Sequence, residues 1–212
     1  MKKFKLYIID FDGTLIDSYK GLPIFYNYAF GAIGYKVSEI EAYHFSKISL
    51  QAAYLEKVDD PSDLDKLKAF KEATYNIIDT RMLLPYNNLY EDAPIFINYI
   101  KDNKLPCALV TGNARKHVDM VLHNVHADDF LDLEVTSEDL DKQKPDPEGI
   151  KLVMSKLNYQ GELKDVCYIG DSYNDFLAAK AAGVTPILVD RFSEYKENED
   201  YILIHSLNEI IN

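Results

Sequence analysis

Cysteine is scarce in this chain of 212 residues, which holds only Cys107 and Cys167. Two thiols at that spacing build neither a disulfide framework nor a Cys-x-x-Cys redox or metal motif. Each lies in an apolar stretch, Pro106–Val110 and Val166–Ile169, and reads as a buried reduced thiol. Positive charge is also in short supply: Lys and Arg number 23 against 35 Asp and Glu, a formal net charge of −12. Nucleic acids and anionic membrane surfaces carry the same sign and are repelled by such a chain. A small anionic substrate is not excluded, because local positive charge can hide inside the sum. No apolar run approaches the ~20 residues that cross a bilayer. Met1-Lys2-Lys3 has the basic character of a secretory leader, but the apolar run Leu6–Ile9 behind it stops at Asp10, too short for a leader core. The expected compartment is therefore the cytoplasm. Internal repeats and low-complexity tracts are missing as well. The histidines (His44, His117, His123, His126 and His205) form no transition-metal set, and His123-x-x-His126 reads as helix surface.

What remains is an ordinary globular composition, 47% hydrophobic and 27% charged, in a chain long enough for one α/β domain or a core with a modest insert. Lys5–Asp10 is a short apolar run ending on an acid and followed by the turn signal Asp12-Gly13, as expected of a buried strand entering a loop. Comparable runs stand at Cys107–Val110, Leu133–Thr136, Val166–Ile169 and Thr185–Val189. Between them, Lys116–Val125 sets Val118, Val121, Leu122 and Val125 on one helix face. Pro147–Leu157 and Asp175–Ala182 are similar, and Gly183 is placed to stop the latter. This alternation predicts a Rossmann-like α/β fold, a parallel sheet covered by helices on both faces.

From residue 18 to residue 86 the alternation lapses into helical patterns with no clear strand. Asp60-Pro61 is expected to open a helix whose face carries Leu64, Leu67, Phe70, Ile77 and Ile78. The frequent aromatics, among them Phe25, Tyr26, Tyr28, Phe30, Tyr43, Phe45 and Tyr54, read as a small helical core. The expected division is residues 1–17 with 87–212 as the α/β core and residues 18–86 as a small α-helical domain inserted after the first strand. Glu194–Asp200 reads as a solvated, charged loop.

Chemistry concentrates where the predicted strands end. Asp10-Phe11-Asp12-Gly13-Thr14-Leu15 puts carboxylates at i and i+2, on the same side of the strand end, with a glycine that lets the backbone turn. In an open parallel sheet, ligands bind beyond the carboxyl ends of the strands. Val110-Thr111-Gly112-Asn113 closes the next run; read as the opening of a helix, its hydroxyl, amide and backbone donors suit an anion. In Lys144-Pro145-Asp146-Pro147 the two prolines hold a rigid loop that presents Lys144 at a fixed place. Gly170-Asp171-Ser172-Tyr173-Asn174-Asp175 follows another run, with Asp175 one helical turn beyond Asp171. Carboxylates gathered at neighbouring strand ends repel one another unless a hard cation sits among them. Mg2+ suits such a place, since it takes one or two carboxylates together with water and phosphate oxygens.

Taken in order, the four motifs resemble those of the haloacid dehalogenase superfamily, and the resemblance spans essentially the whole chain. The helical insert looks like the cap of the subgroup that contains phosphoglycolate phosphatase and β-phosphoglucomutase. The resemblance implies a Mg2+-dependent phosphatase acting on a small phosphorylated metabolite. It implies Asp10 as the nucleophile that forms an aspartyl-phosphate, and Asp12 as general acid and base. Gly13, Thr111, Gly112, Asn113 and Lys144 would hold the phosphoryl group, with Thr111 and Lys144 also stabilising the transition state. Mg2+ would be held by the Asp10 carboxylate, the Asp12 backbone carbonyl and Asp171, with Asp175 acting through water or by orienting Lys144. The cap would close over the site, and Lys20, Lys47 and Arg81 are its basic candidates for substrate contact, each also readable as surface charge.

Three competing readings are weaker. The family's dehalogenases typically lack the second aspartate, and Asp12 is present here. A mutase of the β-phosphoglucomutase kind carries a histidine soon after that aspartate; here Leu22 stands near the position and the next histidine is His44. A non-catalytic sensor of phosphometabolites is expected to lose a motif residue, yet Asp10, Asp12, Thr111, Lys144, Asp171 and Asp175 are all in place.

Overall fold

The computed structural model describes residues 3–211, so Met1 and Lys2 of the basic start lie outside the described residues. Leu6–Ile9 forms β1 and Ile16–Asp17 forms β2. Four helices follow: α1 (Leu22–Gly31), α2 (Glu39–Ser46), α3 (Leu50–Lys57) and α4 (Leu64–Thr80). The chain continues through β3 (Asn88–Leu89), α5 (Ala93–Asn103), β4 (Cys107–Val110), α6 (Arg115–Asn124), β5 (Leu133–Val135) and α7 (Glu148–Lys156). It ends with β6 (Val166–Gly170), α8 (Tyr173–Ala182), β7 (Thr185–Val189), β8 (Ile202–Ile204) and α9 (Asn208–Ile211). Helix α5 and strand β8 have no counterpart in the sequence reading.

The main sheet is six-stranded and parallel, in the order β5-β4-β1-β6-β7-β8, while β2 and β3 pair as a short ribbon. β1 is interior, with Ile8 level with Ala108 on one side and with Tyr168 on the other. The strand's alternation sorts its side chains between two covered faces. Leu6 and Ile8 join Ala108, Val110, Tyr168 and the apolar faces of α7 (Ile150, Val153) and α8 (Ala178, Ala179, Ala182). Tyr7 points to the opposite face, where its ring meets those of Phe96 and Tyr99 of α5 edge-on at 6.2 and 6.4 Å. Burial on both sides explains why these strands are uniformly apolar. Cys107 and Cys167 are buried free thiols, as the composition implies. Gly183 ends α8 with φ +77, its N–H returned to the Ala179 and Lys180 carbonyls.

The chain up to Asp17 and from Leu89 onward forms one compact unit, and Ser18–Asn88 forms another. The second is built on aromatic packing: Phe30 lies 4.7 Å from Phe70 and 5.6 Å from Phe45, and Tyr54 lies 5.1 Å from Phe70 between ring centroids. Two expectations about α4 are corrected. Asp60-Pro61 does not open it; the cap is Asp63, whose carboxylate accepts the N–H groups of Asp65 and Lys66 at 3.1 and 3.0 Å. Asp60 instead accepts from Ser62, closing a local turn before the helix. The buried face is Phe70, Ala73, Thr74 and Ile77, while Leu64, in the first turn, is 76% exposed. Among the described residues, no helix is long and apolar enough to cross a membrane.

Candidate active site

Three adjacent strands end within one residue of one another in register, so the residues that follow them meet. Asp10 comes directly after β1 and keeps the ladder, its N–H donating to the Ile169 carbonyl at 2.8 Å. Thr111 follows β4, its N–H on the Val135 carbonyl at 3.0 Å, and Asp171 follows β6. Asp10, Thr111 and Asp171 are all buried. The loop after Asp10 is tight: Gly13 donates to the Ile16 carbonyl at 2.9 Å, and the Leu15 and Ile16 N–H groups both return to the Phe11 carbonyl. Gly13 sits at φ +74, and a Cβ there would lie 2.5 Å from the Asp171 carboxyl carbon. Glycine is thus required twice over, by conformation and by space.

Lys144 reaches this point from the loop before α7. Its Nζ donates to Asp10 Oδ1 and to Asp175 Oδ1, both at 2.6 Å, with the three side chains 17%, 8% and 2% exposed. The Lys144–Pro145 peptide is cis. Asp175 occupies the third position of α8, where it forms a reciprocal cap with Ser172 and accepts from the Tyr168 hydroxyl at 3.0 Å. Burial disfavours the charge on Lys144, but the carboxylates of Asp10 and Asp175 outweigh it and hold the ammonium well above its ordinary pKa. Burial likewise works against the Asp175 carboxylate; Lys144 and the Ser172 donors overcome it, so its pKa is lowered. Asp10 goes the other way. Burial, reinforced by the negative charges of Asp175 and Asp171, raises its proton affinity against the pull of Lys144.

Carboxylate oxygens of Asp10, Asp171 and Asp175 all lie within 4.8 Å of one another, in buried surroundings. An all-oxygen, acidic donor set of this kind fits a hard divalent cation such as Mg2+. The Asp12 carboxylate stands apart from that set and accepts a short hydrogen bond from the Asn113 side-chain amide. Asn113 also donates, through its backbone N–H at 3.2 Å and its side chain at 3.3 Å, to the Thr111 hydroxyl. One expectation fails here: Thr111-Gly112-Asn113 does not open a helix. Helix α6 starts at Arg115 after Ala114, which offers no side-chain cap. The Arg115 N–H is satisfied by the Glu138 carboxylate at 3.0 and 3.1 Å, and the Asn113 carbonyl accepts from the Ser137 N–H. The Thr111–Asn113 segment is therefore a braced loop whose side chains turn to Asp12. Gly112 is exposed in it.

Lys47 ends α2, its Nζ donating to the Tyr19 hydroxyl at 2.9 Å and lying over the Tyr19 and Tyr43 rings. Arg81 is the left-handed residue that closes α4, and Lys20 is exposed in a short helical turn. His123 is exposed on α6, paired with Asp128 at 3.1 Å, and His126 lies beyond the helix end. Sequence reading missed Tyr168, whose alternation position in β6 hides a polar function inside a core strand. It also missed Ser172, although Ser-x-x-Asp was legible as a capping pattern.

Comparison with known proteins bears on this geometry. The family model described as haloacid dehalogenase-like hydrolase matches residues 7–189. A phosphoglycolate phosphatase of Vibrio cholerae is 27% identical over 189 residues, covering 86% of this chain and 83% of the relative. The pyrophosphatase PpaX of Bacillus pumilus is 25% identical over 179 residues, covering 83% and 78%. A solved structure from Bacteroides fragilis, provisionally assigned as a haloacid dehalogenase-like hydrolase, superposes with a TM-score of 0.84 at 26% identity, covering 98% of this chain and all of that one.

Proposed function

Because the chain belongs to the haloacid dehalogenase-like hydrolases, we propose that it is a Mg2+-dependent phosphatase that hydrolyses a small phosphomonoester through an aspartyl-phosphate on Asp10. The observation that carries the reading is the buried array of Asp10, Lys144 and Asp175 set beside a second carboxylate, Asp12, that is held outside it. Two carboxylates leave one strand end with different partners, and so they are equipped for different work.

Asp10 attacks phosphorus with a carboxylate oxygen, and the bond to the leaving alkoxide breaks. Asp12 delivers a proton to that alkoxide, then takes one from the water that cleaves the acyl-phosphate. Lys144 neutralises charge on the phosphoryl oxygens and on Asp10, and Asp175 keeps the lysine aimed at Asp10. The Thr111 hydroxyl and the amides of its loop supply further donors. Asp10, Asp171 and the Asp12 carbonyl would hold Mg2+, which when bound offsets the repulsion between carboxylate and phosphate dianion. The Ser18–Asn88 unit takes the part of the cap, where substrate choice is made. Phosphoglycolate and pyrophosphate, named for the relatives, head the candidates.

The test is phosphate release from a panel of phosphoglycolate, pyrophosphate, sugar phosphates and nucleotides, with p-nitrophenyl phosphate as surrogate. Turnover should need Mg2+, stop on chelation, and vanish in Asp10→Asn with the fold intact. Full activity in that variant, or after thorough chelation, would contradict the assignment.

A further inference from the structure

The loop that carries both aspartates is held by a largely covered arginine outside all four motifs. We infer that Arg191 is a positioning residue that fixes the Asp10–Leu15 loop through the Thr14 carbonyl. Its Nη2 donates to that carbonyl at 2.8 Å. The same guanidinium pairs bidentately with Asp92, Nη1 to Oδ2 at 2.6 Å and Nη2 to Oδ1 at 3.1 Å, and both side chains are 9% exposed. The Tyr90 ring lies 4.0 Å from the guanidinium carbon, and the Tyr90 N–H donates to the Leu15 carbonyl at 3.1 Å. The consecutive carbonyls of Thr14 and Leu15 are thereby held by Arg191 and Tyr90, which touch one another.

The supports are themselves anchored. Asp92 also accepts from the Ser206 hydroxyl and the Leu207 N–H, each at 2.8 Å, which ties the start of α5 to the start of α9. The Asp190 carboxylate accepts the N–H groups of Phe192, Glu194 and Tyr195, so the loop bearing Arg191 is fixed from its first residue. A planar fork meets the two Asp92 oxygens with parallel bonds and still aims an N–H at a third acceptor; a lysine has the charge and three donors but not that fixed shape. Thr14 follows Gly13, which packs against the Asp171 carboxylate, so a shift of the Thr14 carbonyl moves the contact between the two acidic motifs. The arginine touches no reacting atom; it acts through the loop.

The kinetic part of this inference rests on the phosphatase reading, and the structural part does not. Two variants separate them: Arg191→Lys, and Arg191→Met combined with Asp92→Asn, which strands no buried carboxylate. Amide hydrogen exchange at Gly13, Leu15 and Ile16 should accelerate about tenfold or more while Cys107–Val110 and Val166–Gly170 stay protected. With Mg2+ and a hydrolysed ester, kcat should fall about 10- to 100-fold with KM within about twofold. Wild-type exchange in the loop overturns the inference. So does acceleration spread evenly over the sheet with kcat unchanged below the melting range, because Arg191 is then a general brace. If the wild-type chain hydrolyses no ester, the functional reading falls, and the exchange pattern still decides the role of Arg191.

Discussion

Gly13→Ala offers the sharpest test of how the two acidic motifs fit together. The residue sits at φ +74, where a Cβ costs roughly 1–2 kcal/mol. The added carbon would lie 2.5 Å from the Asp171 carboxyl carbon, against 3.4 Å for an ordinary contact, so that carboxylate must retreat by about 0.9 Å. Asp171 is a short side chain and can rotate, which keeps the steric part of the stability loss to roughly 1 kcal/mol. Its every retreat, however, takes an oxygen out of the cluster with Asp10 and Asp175. The function should therefore suffer far more than the fold. Stability should fall by about 2–3 kcal/mol, near 5–10 °C in melting temperature for a chain of this size. The Mg2+-dependent rate should fall on the order of 100-fold, the usual consequence of misplacing a catalytic group by about 1 Å. Thermal unfolding by circular dichroism and phosphate release at a temperature well below the melt measure the two effects separately. A variant that melts lower but turns over at the wild-type rate would refute the claim that the close approach of Gly13 to Asp171 matters to the chemistry.

Other outcomes follow from the same geometry. Lys144→Met leaves Asp10 and Asp175 buried without their cation and should cost about 3–5 kcal/mol in urea unfolding, part of it regained in a double variant with Asp10→Asn. Asn113→Ala should lower kcat about tenfold while KM moves little, since its amide is bonded to Asp12; a rise in KM alone would return it to substrate binding. The Thr136 N–H, with Arg115, lowers the Asp139 carboxyl from 3.8 to about 2. Its folded pKa lies below the unfolded one, so its contribution of roughly 2 kcal/mol is present above the unfolded value and disappears as pH falls toward 2. Acid unfolding of Asp139→Asn should lose that part of the slope.

The strand ends were legible because a parallel sheet covered on both sides demands apolar runs, and the residue that breaks each run announces itself. Asp10, Thr111 and Asp171 are such breaks, and their adjacency follows from strand order. Locally, Lys144 was readable only as a lysine ahead of two prolines; its salt bridges span 134 and 31 residues and leave no local trace. Arg191 and Asp92, 99 residues apart, are less legible still, because neither sits in a periodic pattern that a partner could complete. Helix starts misled in two places for one reason. An Asp-Pro pair and a Thr-Gly-Asn string both resemble caps, but the real first turns were captured by Asp63 and, from another loop, by Glu138.

The interior place of β1 also bears on how the chain is made. Ile9 leaves the ribosome long before its neighbours, since β4 starts at Cys107 and β6 at Val166. At ~5–20 residues per second, the apolar strand waits roughly 5–20 s before β4 can cover one edge and roughly 8–30 s before β6 can cover the other. The nascent chain has its nucleophile well before Lys144 is made and longer still before Asp171, so the full set of motif residues is not assembled until synthesis has passed Asp175.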